Sequence, residues 1–279
     1  MILEEKLPIE EVHSIIIRKI RDYFAGCGKK KAVLGLSGGI DSALVYALAC
    51  EALGVENVHG ILMPSQFSTI HSVTDAVELA NNLGGRYDIM PIEKIYNKFM
   101  REIDPLFHLH EWTVAQENLQ ARIRGAILMT YSNKFDHLLL NTSNKSELFM
   151  GYGTLYGDLC GAMMVIADLY KVQVYELSRY INSDKTIIPV STLTKAPSAE
   201  LRPNQKDTDS LPEYELLDPI LHALHEEGKS AEEVIKEGAD RELVERILRL
   251  KKNSAFKIMQ IPPVIQIGAK PIVPDFKCL

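Results

Sequence analysis

Apolar positions recur at helical spacing from Pro8 to Phe24, through Ile9, Val12, Ile16, Ile20 and Tyr23, with Pro8 suited to a first turn and Gly26 and Gly28 past the end. This spacing predicts an N-terminal helix. Strand and helix signals then alternate: a strand over Ala32 to Leu36, a helix from Ile40 to Leu53, a strand over Val58 to Leu62, a helix from Ile70 to Leu83 and a strand over Tyr87 to Met90. A longer helix from Thr113 to Tyr131 leads into a short apolar strand, His137 to Leu140. Such β-α-β alternation predicts an α/β fold with a central parallel sheet and helices on both faces. In such folds ligands sit at the carboxyl ends of the strands, near a switch in strand order.

Two polar stretches follow the last strand. Asn141 to Glu147 opens into a helix, and Gly151 to Asp158 holds too many glycines for a helix and reads as a binding loop. Ser191 to Pro212 is rich in Ser, Thr, Pro, Lys and Asp without periodicity, and a structureless loop of that length is read as a lid over the site. Short helices are predicted from Glu213 to Glu226, Ala231 to Glu237 and Arg241 to Lys252, and the proline-punctuated tail after Asn253 reads as a surface wrap. The chain is expected to be one domain, with a core over about residues 8–190, the lid over about 191–212 and a C-terminal helical segment over 213–279.

Hydrophobic residues make up 46% and charged ones 24%, an ordinary balance for a globular enzyme. No apolar run approaches a membrane span and no secretory pattern is present, so the expectation is a cytoplasmic protein with no membrane contact. A net charge of −6 counts against nucleic acid as a partner, and the runs Lys29 to Lys31 and Lys251-Lys252 read as solvated element ends. Cys27, Cys50, Cys160 and Cys278 are too widely separated for a zinc site or a disulfide framework. His108 and His110 lack a third nearby ligand and read as surface or packing histidines.

The chemistry is concentrated in Lys31 to Ala43, where an apolar run breaks into Ser37-Gly38-Gly39-Ile40-Asp41-Ser42 and resumes as a helix. Two glycines let backbone approach an anion, the helix N-terminus aims its amides at it, and two hydroxyls add donors. This reads as an ATP phosphate cradle. Asp41 would repel a polyphosphate unless a divalent cation bridges the two, which argues for Mg²⁺. The Gly-Lys-Ser/Thr ending of the ordinary P-loop is missing, which points to chemistry at the α-phosphate. Taken alone, the stretch also fits a Gly-rich strand-to-helix turn with a capping serine.

Together with Glu117 to Arg124, Asn144-Lys145-Ser146-Glu147, Tyr156-Gly157-Asp158, Leu169-Tyr170-Lys171 and Lys195 to Arg202, the cradle resembles the NAD synthetases of the ATP pyrophosphatase superfamily. The resemblance implies a Rossmann-like, three-layer fold of the adenine nucleotide alpha hydrolase type with a C-terminal helical extension. It implies ammonia-dependent amidation of deamido-NAD: the nicotinate carboxylate attacks the α-phosphorus of ATP, pyrophosphate leaves, and ammonia displaces AMP. Carried over by position, Gly35, Leu36, Ser37, Gly38, Gly39, Ile40, Asp41 and Ser42 hold ATP, with Thr142, Lys171 and Ser198 as further contacts. Asp41 and Glu147 are the implied metal carboxylates, although Glu147 also suits a first-turn helix position. Asn118, Arg122, Glu147, Tyr152, Gly153, Thr154, Leu155 and Lys257 are the implied contacts to deamido-NAD. Asn118 and Arg122 share a helix face, with Gly125 one turn on as a gap for the dinucleotide. Asp158 and Lys171 are the implied catalytic residues, Asp158 as the base that turns ammonium into ammonia or, alternatively, as a loop cap. Tyr152 and Tyr156 either flank the nicotinate ring or pack.

Leu155 and Ala162 stand where compact ammonia-using synthetases carry a Lys and an Asp, and several stretches look more like the synthetase domain of the glutamine-dependent enzymes. The chain offers no room for their glutaminase domain, so the donor is expected to be free ammonia or the product of a separate glutaminase. By family analogy a homodimer is expected. Another ATP pyrophosphatase, such as a GMP synthetase-like amidase or a tRNA-thiolating enzyme, and a non-catalytic ATP-binding module are the competing readings.

Overall fold

Alternate residues of the strands bury themselves on opposite sides, and this alternation sets the layers. Ala32, Leu34, Val58, Leu62 and Leu140 join one apolar cluster, whereas Val33, Ile61 and Leu139 join another. The computed structural model describes residues 7–109 and 111–273; His110 and Cys278 lie outside them. The strands are β1 (Ala32–Gly35), β2 (Val58–Leu62), β3 (Arg86–Ile89), β4 (Leu138–Asn141) and β5 (Met163–Met164). They form one five-stranded sheet in the order β3-β2-β1-β4-β5, parallel throughout. Ala32 pairs with Val58 on one side and Leu138 on the other, so β1 is central. The strand order reverses between β1 and β4, and the crevice at their carboxyl ends is where the two polar loops emerge.

Helices α1 (Ile9–Gly26), α2 (Ile40–Leu53) and α3 (Ile70–Leu83) cover the face of the first cluster. α2 is apolar nearly all round, as its place between α1 and the sheet demands. Helices α4 (Glu93–Phe107) and α5 (Val114–Phe135) lie on the other face. α5 starts at a capping box of Thr113 and Gln116 and runs one turn past the predicted Tyr131, ending at Asp136 in the left-handed region. α6 (Lys145–Met150) follows β4, α7 (Lys171–Ile181) follows β5, and α8 (Val190–Thr194) follows α7. Beyond them, α9 (Tyr214–His225), α10 (Ala231–Lys236) and α11 (Arg241–Ile258) form the C-terminal helical extension, packed with α6 around a third apolar cluster. No helix among the described residues is long and apolar enough to cross a membrane.

Three sequence expectations change. The tail does not wrap the surface: α11 continues to Ile258, and beyond it Val264 makes a parallel bridge to Met164 with Ile265 fully buried. The prolines at 262 and 263 interrupt the chain only after the helix has ended. The lid is not structureless, since it opens with α8 and ends in a 3₁₀ turn, Asp207–Asp209. Lys251 is no solvated end either; burial pushes its pKa down and its ammonium sits 4.6 Å from the Phe149 ring centre. Of the cysteines, Cys27, Cys50 and Cys160 are free thiols, and burial raises Cys50 to about 12.

Gly38 fixes the turn out of β1. It sits at φ +83°, and a Cβ there would lie 2.0 Å from the Ser72 carbonyl oxygen. Gly38→Ala therefore adds left-handed strain to a clash with backbone. It is expected to cost about 2–4 kcal/mol of stability, read as a lower urea midpoint; an unchanged midpoint would contradict the close approach.

Candidate active site

A cavity of about 290 Å³ opens at the carboxyl ends of β1 and β4. Its floor is the turn from β1 into α2. Ser37 and Ser42 hydroxyls lie 3.0 Å apart, the Ser42 hydroxyl donates to the Gly39 carbonyl at 3.0 Å, and the Gly39 amide donates to the Ser37 hydroxyl at 3.2 Å. These bonds hold the loop open at the N-terminus of α2, where the helix dipole favours an anion. Gly35, Leu36, Ser37, Gly39, Ile40, Asp41 and Ser42 line the cavity, and Gly38 braces the turn against α3.

One wall carries the charges. Asp41, in the first turn of α2, accepts from the Asn144 amide at 2.9 Å and from the Lys171 ammonium at 2.5 Å. Glu147, three residues after the N-cap Asn144, closes the capping box of α6 and accepts from the same ammonium at 3.2 Å. Glu147 is thus both a first-turn helix residue and a cavity residue. Burial pushes its carboxyl up to about 8, against the pull of the Lys171 ammonium. Lys171 is held charged by the two carboxylates despite its own burial. Among the described residues no three His, Cys, Asp or Glu side chains converge into a metal cage. Two hard carboxylates sharing one small cation suit Mg²⁺, which binds through one or two carboxylates and completes its shell from phosphates and water.

Thr142, Tyr152, Asp158 and Ser198 also line the cavity. The Asp158 carboxylate accepts from the Thr154 amide at 2.5 Å, so it caps its own loop while facing the cavity. The side chain is exposed, and partial desolvation of its carboxyl by the loop packed around it raises its pKa, opposed by that amide and by Lys257 and Arg124. Ser198 donates to the Gln205 carbonyl within the lid, and the Tyr152 hydroxyl donates to Asp207. Tyr156 is 71% exposed and donates to Gln260, so the two tyrosines do not flank one space.

The remaining residues assigned to the dinucleotide mount the 151–158 loop from behind. The Thr154 hydroxyl donates to Asn118 at 2.7 Å, Arg122 donates to the Leu155 carbonyl at 3.3 Å, and Lys257 donates to the Gly151 and Gly153 carbonyls. Leu155 packs against the C-terminal apolar cluster. The gap at Gly125 is filled by Gly157, whose carbonyl would meet a Cβ at 3.0 Å. The face of α5 that does reach the cavity is Ala121, Arg124, Gly125 and Leu128, one residue round from the expected one.

Arg124 is the main residue that sequence reasoning passes over. Its Nε donates to the Met63 carbonyl, it lines the cavity, and burial lowers its pKa to about 10. Its signal is spacing: it falls one turn after Gln120 and Ala121, both buried. The lid adds Lys195, paired with Asp75 at 2.9 Å, and Glu200, which accepts from the Thr69 and Ser72 hydroxyls at 2.9 and 2.8 Å. These bonds fasten the lid to the start of α3, over the phosphate cradle.

The site thus combines a Gly-rich turn at a helix N-terminus, two carboxylates bridged by an ammonium, a half-buried guanidinium and a raised, exposed carboxyl around one cavity. The profile of the family described as NAD synthase matches residues 12–261. A glutamine-dependent NAD(+) synthetase of Synechocystis is 52% identical over 258 residues, 92% of this chain and 46% of its own length. The chain spans about half the length of the curated relatives it matches. Among solved structures, the Acinetobacter baumannii glutamine-dependent NAD+ synthetase in complex with ADP superposes with a TM-score of 0.66 at 39% identity, over 96% of this chain and 49% of that one. The NH3-dependent NAD synthetase of Campylobacter jejuni gives 0.72 at 32% identity, over 90% of this chain and 96% of that one.

Proposed function

This chain belongs to the NAD synthase family, whose profile it matches over residues 12–261, and we propose on that premise that it joins ammonia to the nicotinate carboxylate of deamido-NAD at the expense of ATP. The reading is a ligase reaction that forms a C–N bond. The observation that carries it is the meeting of Asp41, Glu147 and Lys171 at the lip of the Ser37–Ser42 cradle. A simple nucleotide-binding module has no use for a partly buried carboxylate pair beside the phosphates.

In the proposed course the substrate carboxylate oxygen bonds to the α-phosphorus as the bond to the β-phosphate oxygen breaks, releasing pyrophosphate. Ammonium first gives one proton to a base, the nitrogen then bonds to the acyl carbon, AMP leaves with the bridging oxygen, and a second proton leaves the nitrogen for solvent. Lys171, the cradle amides and Arg124 are assigned to the phosphate charge, which is positioning and electrostatic work. Bound Mg²⁺, held by Asp41 and Glu147, would supply further charge neutralisation at the phosphates. Asp158 is assigned to the proton, since ammonium has no lone pair until it loses one. Asn118, Arg122, Tyr152 to Leu155 and Lys257 contribute to deamido-NAD through the loop they build.

Ammonia is the proposed nitrogen species at this site, supported by the likeness to the Campylobacter NH3-dependent structure over 96% of that chain. Delivery by a glutaminase is the second reading, favoured by 52% identity to a glutamine-dependent relative. NAD formation from deamido-NAD, ATP and Mg²⁺ with ammonium or glutamine as donor separates them. Turnover with ammonium alone is the expected result; turnover with glutamine supports the second reading, and turnover with neither contradicts both.

A homodimer is proposed as well. Ile89, Met90, Phe99, Leu106, Phe107, Trp112 and Val114 leave apolar side chains exposed along β3, α4 and the approach to α5, which supports a partner surface there. Sedimentation velocity should give twice the 31.3 kDa chain mass; a single species at that mass would contradict it.

A further inference from the structure

Glu147 and Lys171 stand in the first turns of two different helices, and something must fix those turns against each other. The link comes from the C-terminal extension. Asp218, on α9, is wholly buried. One carboxylate oxygen accepts from the Ser146 hydroxyl at 2.5 Å and the other accepts from the Val172 amide at 3.0 Å. The Ser146 hydroxyl in turn accepts from the Lys171 amide at 2.9 Å. Ser146 is the neighbour of Glu147, and Val172 is the neighbour of Lys171.

A second grip lies at the end of the same helix. Glu226, the C-cap of α9, accepts from the buried Lys145 ammonium at 2.5 Å, and Asp168 accepts from that ammonium at 2.7 Å. The other Asp168 oxygen accepts from the Ile267 and Gly268 amides at 2.6 and 2.7 Å, which ties in the segment beyond α11. Two successive residues of α6, Lys145 and Ser146, are thus held by α9.

We propose that Asp218 is a positioning residue for the reaction, holding the first turns of α6 and α7 so that the Lys171 ammonium stays between Asp41 and Glu147 at the phosphate end of the nucleotide. The inference rests on the amidation reading for the identity of that nucleotide. It assigns a role to a residue that does not line the cavity. Only a carboxylate offers two acceptor oxygens and no competing donor to two buried donors. An apolar residue would pack as well while leaving a hydroxyl and an amide unpaired, and asparagine keeps one acceptor of the two.

The test compares wild type with Asp218→Asn, Ser146→Ala and the double variant, reading Mg²⁺·ATP affinity by calorimetry together with separate kcat and KM values. Loss of a supporting partner of this kind costs about 10-fold to 100-fold in affinity or activity. Asp218→Asn is expected to weaken Mg²⁺·ATP binding and lower kcat by that factor, with the KM for deamido-NAD held within about twofold. Ser146→Ala should act in the same direction, and the double variant should be no worse than the poorer single one, because both break one link. Ser146→Ala removes one oxygen atom and reads the same link if Asp218→Asn does not fold. Unchanged Mg²⁺·ATP affinity in the folded variants would overturn the proposal, as would equal losses for both substrates in step with thermal stability. Calorimetry needs no turnover, so a wild type that binds Mg²⁺·ATP without making NAD refutes the amidation reading and leaves the positioning comparison readable.

Discussion

Lys171→Met is expected to lower turnover by about 10³-fold and to destabilise the fold by about 3–5 kcal/mol. The ammonium is 2% exposed and lies 2.5 Å from Asp41 and 3.2 Å from Glu147. Methionine fills much the same volume, so the loss isolates the charge from the packing. Two partly buried carboxylates would then face each other with no cation between them. Breaking a buried pair by removing one partner leaves an uncompensated charge, which costs far more than the intact pair contributes. Without the ammonium's pull, Glu147, already pushed up by burial to about 8, would rise further. Steady-state kinetics and urea unfolding check the two effects separately. Turnover within tenfold of wild type would show that the ammonium is not part of the chemistry.

Asp158→Asn is the second large effect, a fall of about 10²–10⁴-fold in turnover, the range for a lost general base. Asparagine retains an oxygen to accept from the Thr154 amide, so the loop keeps its cap. The sign of the stability change separates chemistry from structure. The Asp158 side chain is exposed, and partial desolvation of its carboxyl by the loop around it raises its pKa in the folded protein, so its ionisation at neutral pH works only slightly against folding. At neutral pH a neutral asparagine avoids that penalty and the variant should be no less stable than wild type. In a pH series at fixed total ammonia, the wild-type rate should climb through an acid limb as Asp158 ionises, and the variant should lack that limb. An unchanged rate across the series would remove Asp158 from the mechanism.

Much of the fold is legible in the sequence because its determinants are local. The alternation in β1, β2 and β4 and the Gly-Gly break after β1 are written within a few residues of each other. The match between the cradle and the end of β1 follows from the same stretch. What is illegible depends on distant partners. β5 is two residues long and draws its register from β4, while Val264 reaches it from a hundred residues away. The apolar positions of α4 cover one buried residue, Tyr96, so its pattern does not mark a core face.

The site divides in the same way. Asp41, Glu147, Asp158 and Lys171 stand in polar loops or first turns that announce themselves, and the structure brings them to one cavity. Asn118 and Arg122 share a helix face as the spacing requires, but which object covers that face is a tertiary matter, and here it is the 151–158 loop. Arg124 is marked only by its spacing from Gln120 and Ala121, and Asp218 carries no local mark. A half-buried arginine inside a helix and a single aspartate in an apolar helix become chemical only when the neighbours that bury them are known.

The proposed function requires this site to cleave ATP at the α-phosphorus on behalf of a carboxylate. The most direct measurement is the product stoichiometry of one turnover with ATP, Mg²⁺, deamido-NAD and ammonium. The account predicts one AMP and one pyrophosphate for each NAD, with neither released when deamido-NAD is left out. Release of ADP and inorganic phosphate, or of pyrophosphate at the same rate without deamido-NAD, would contradict it.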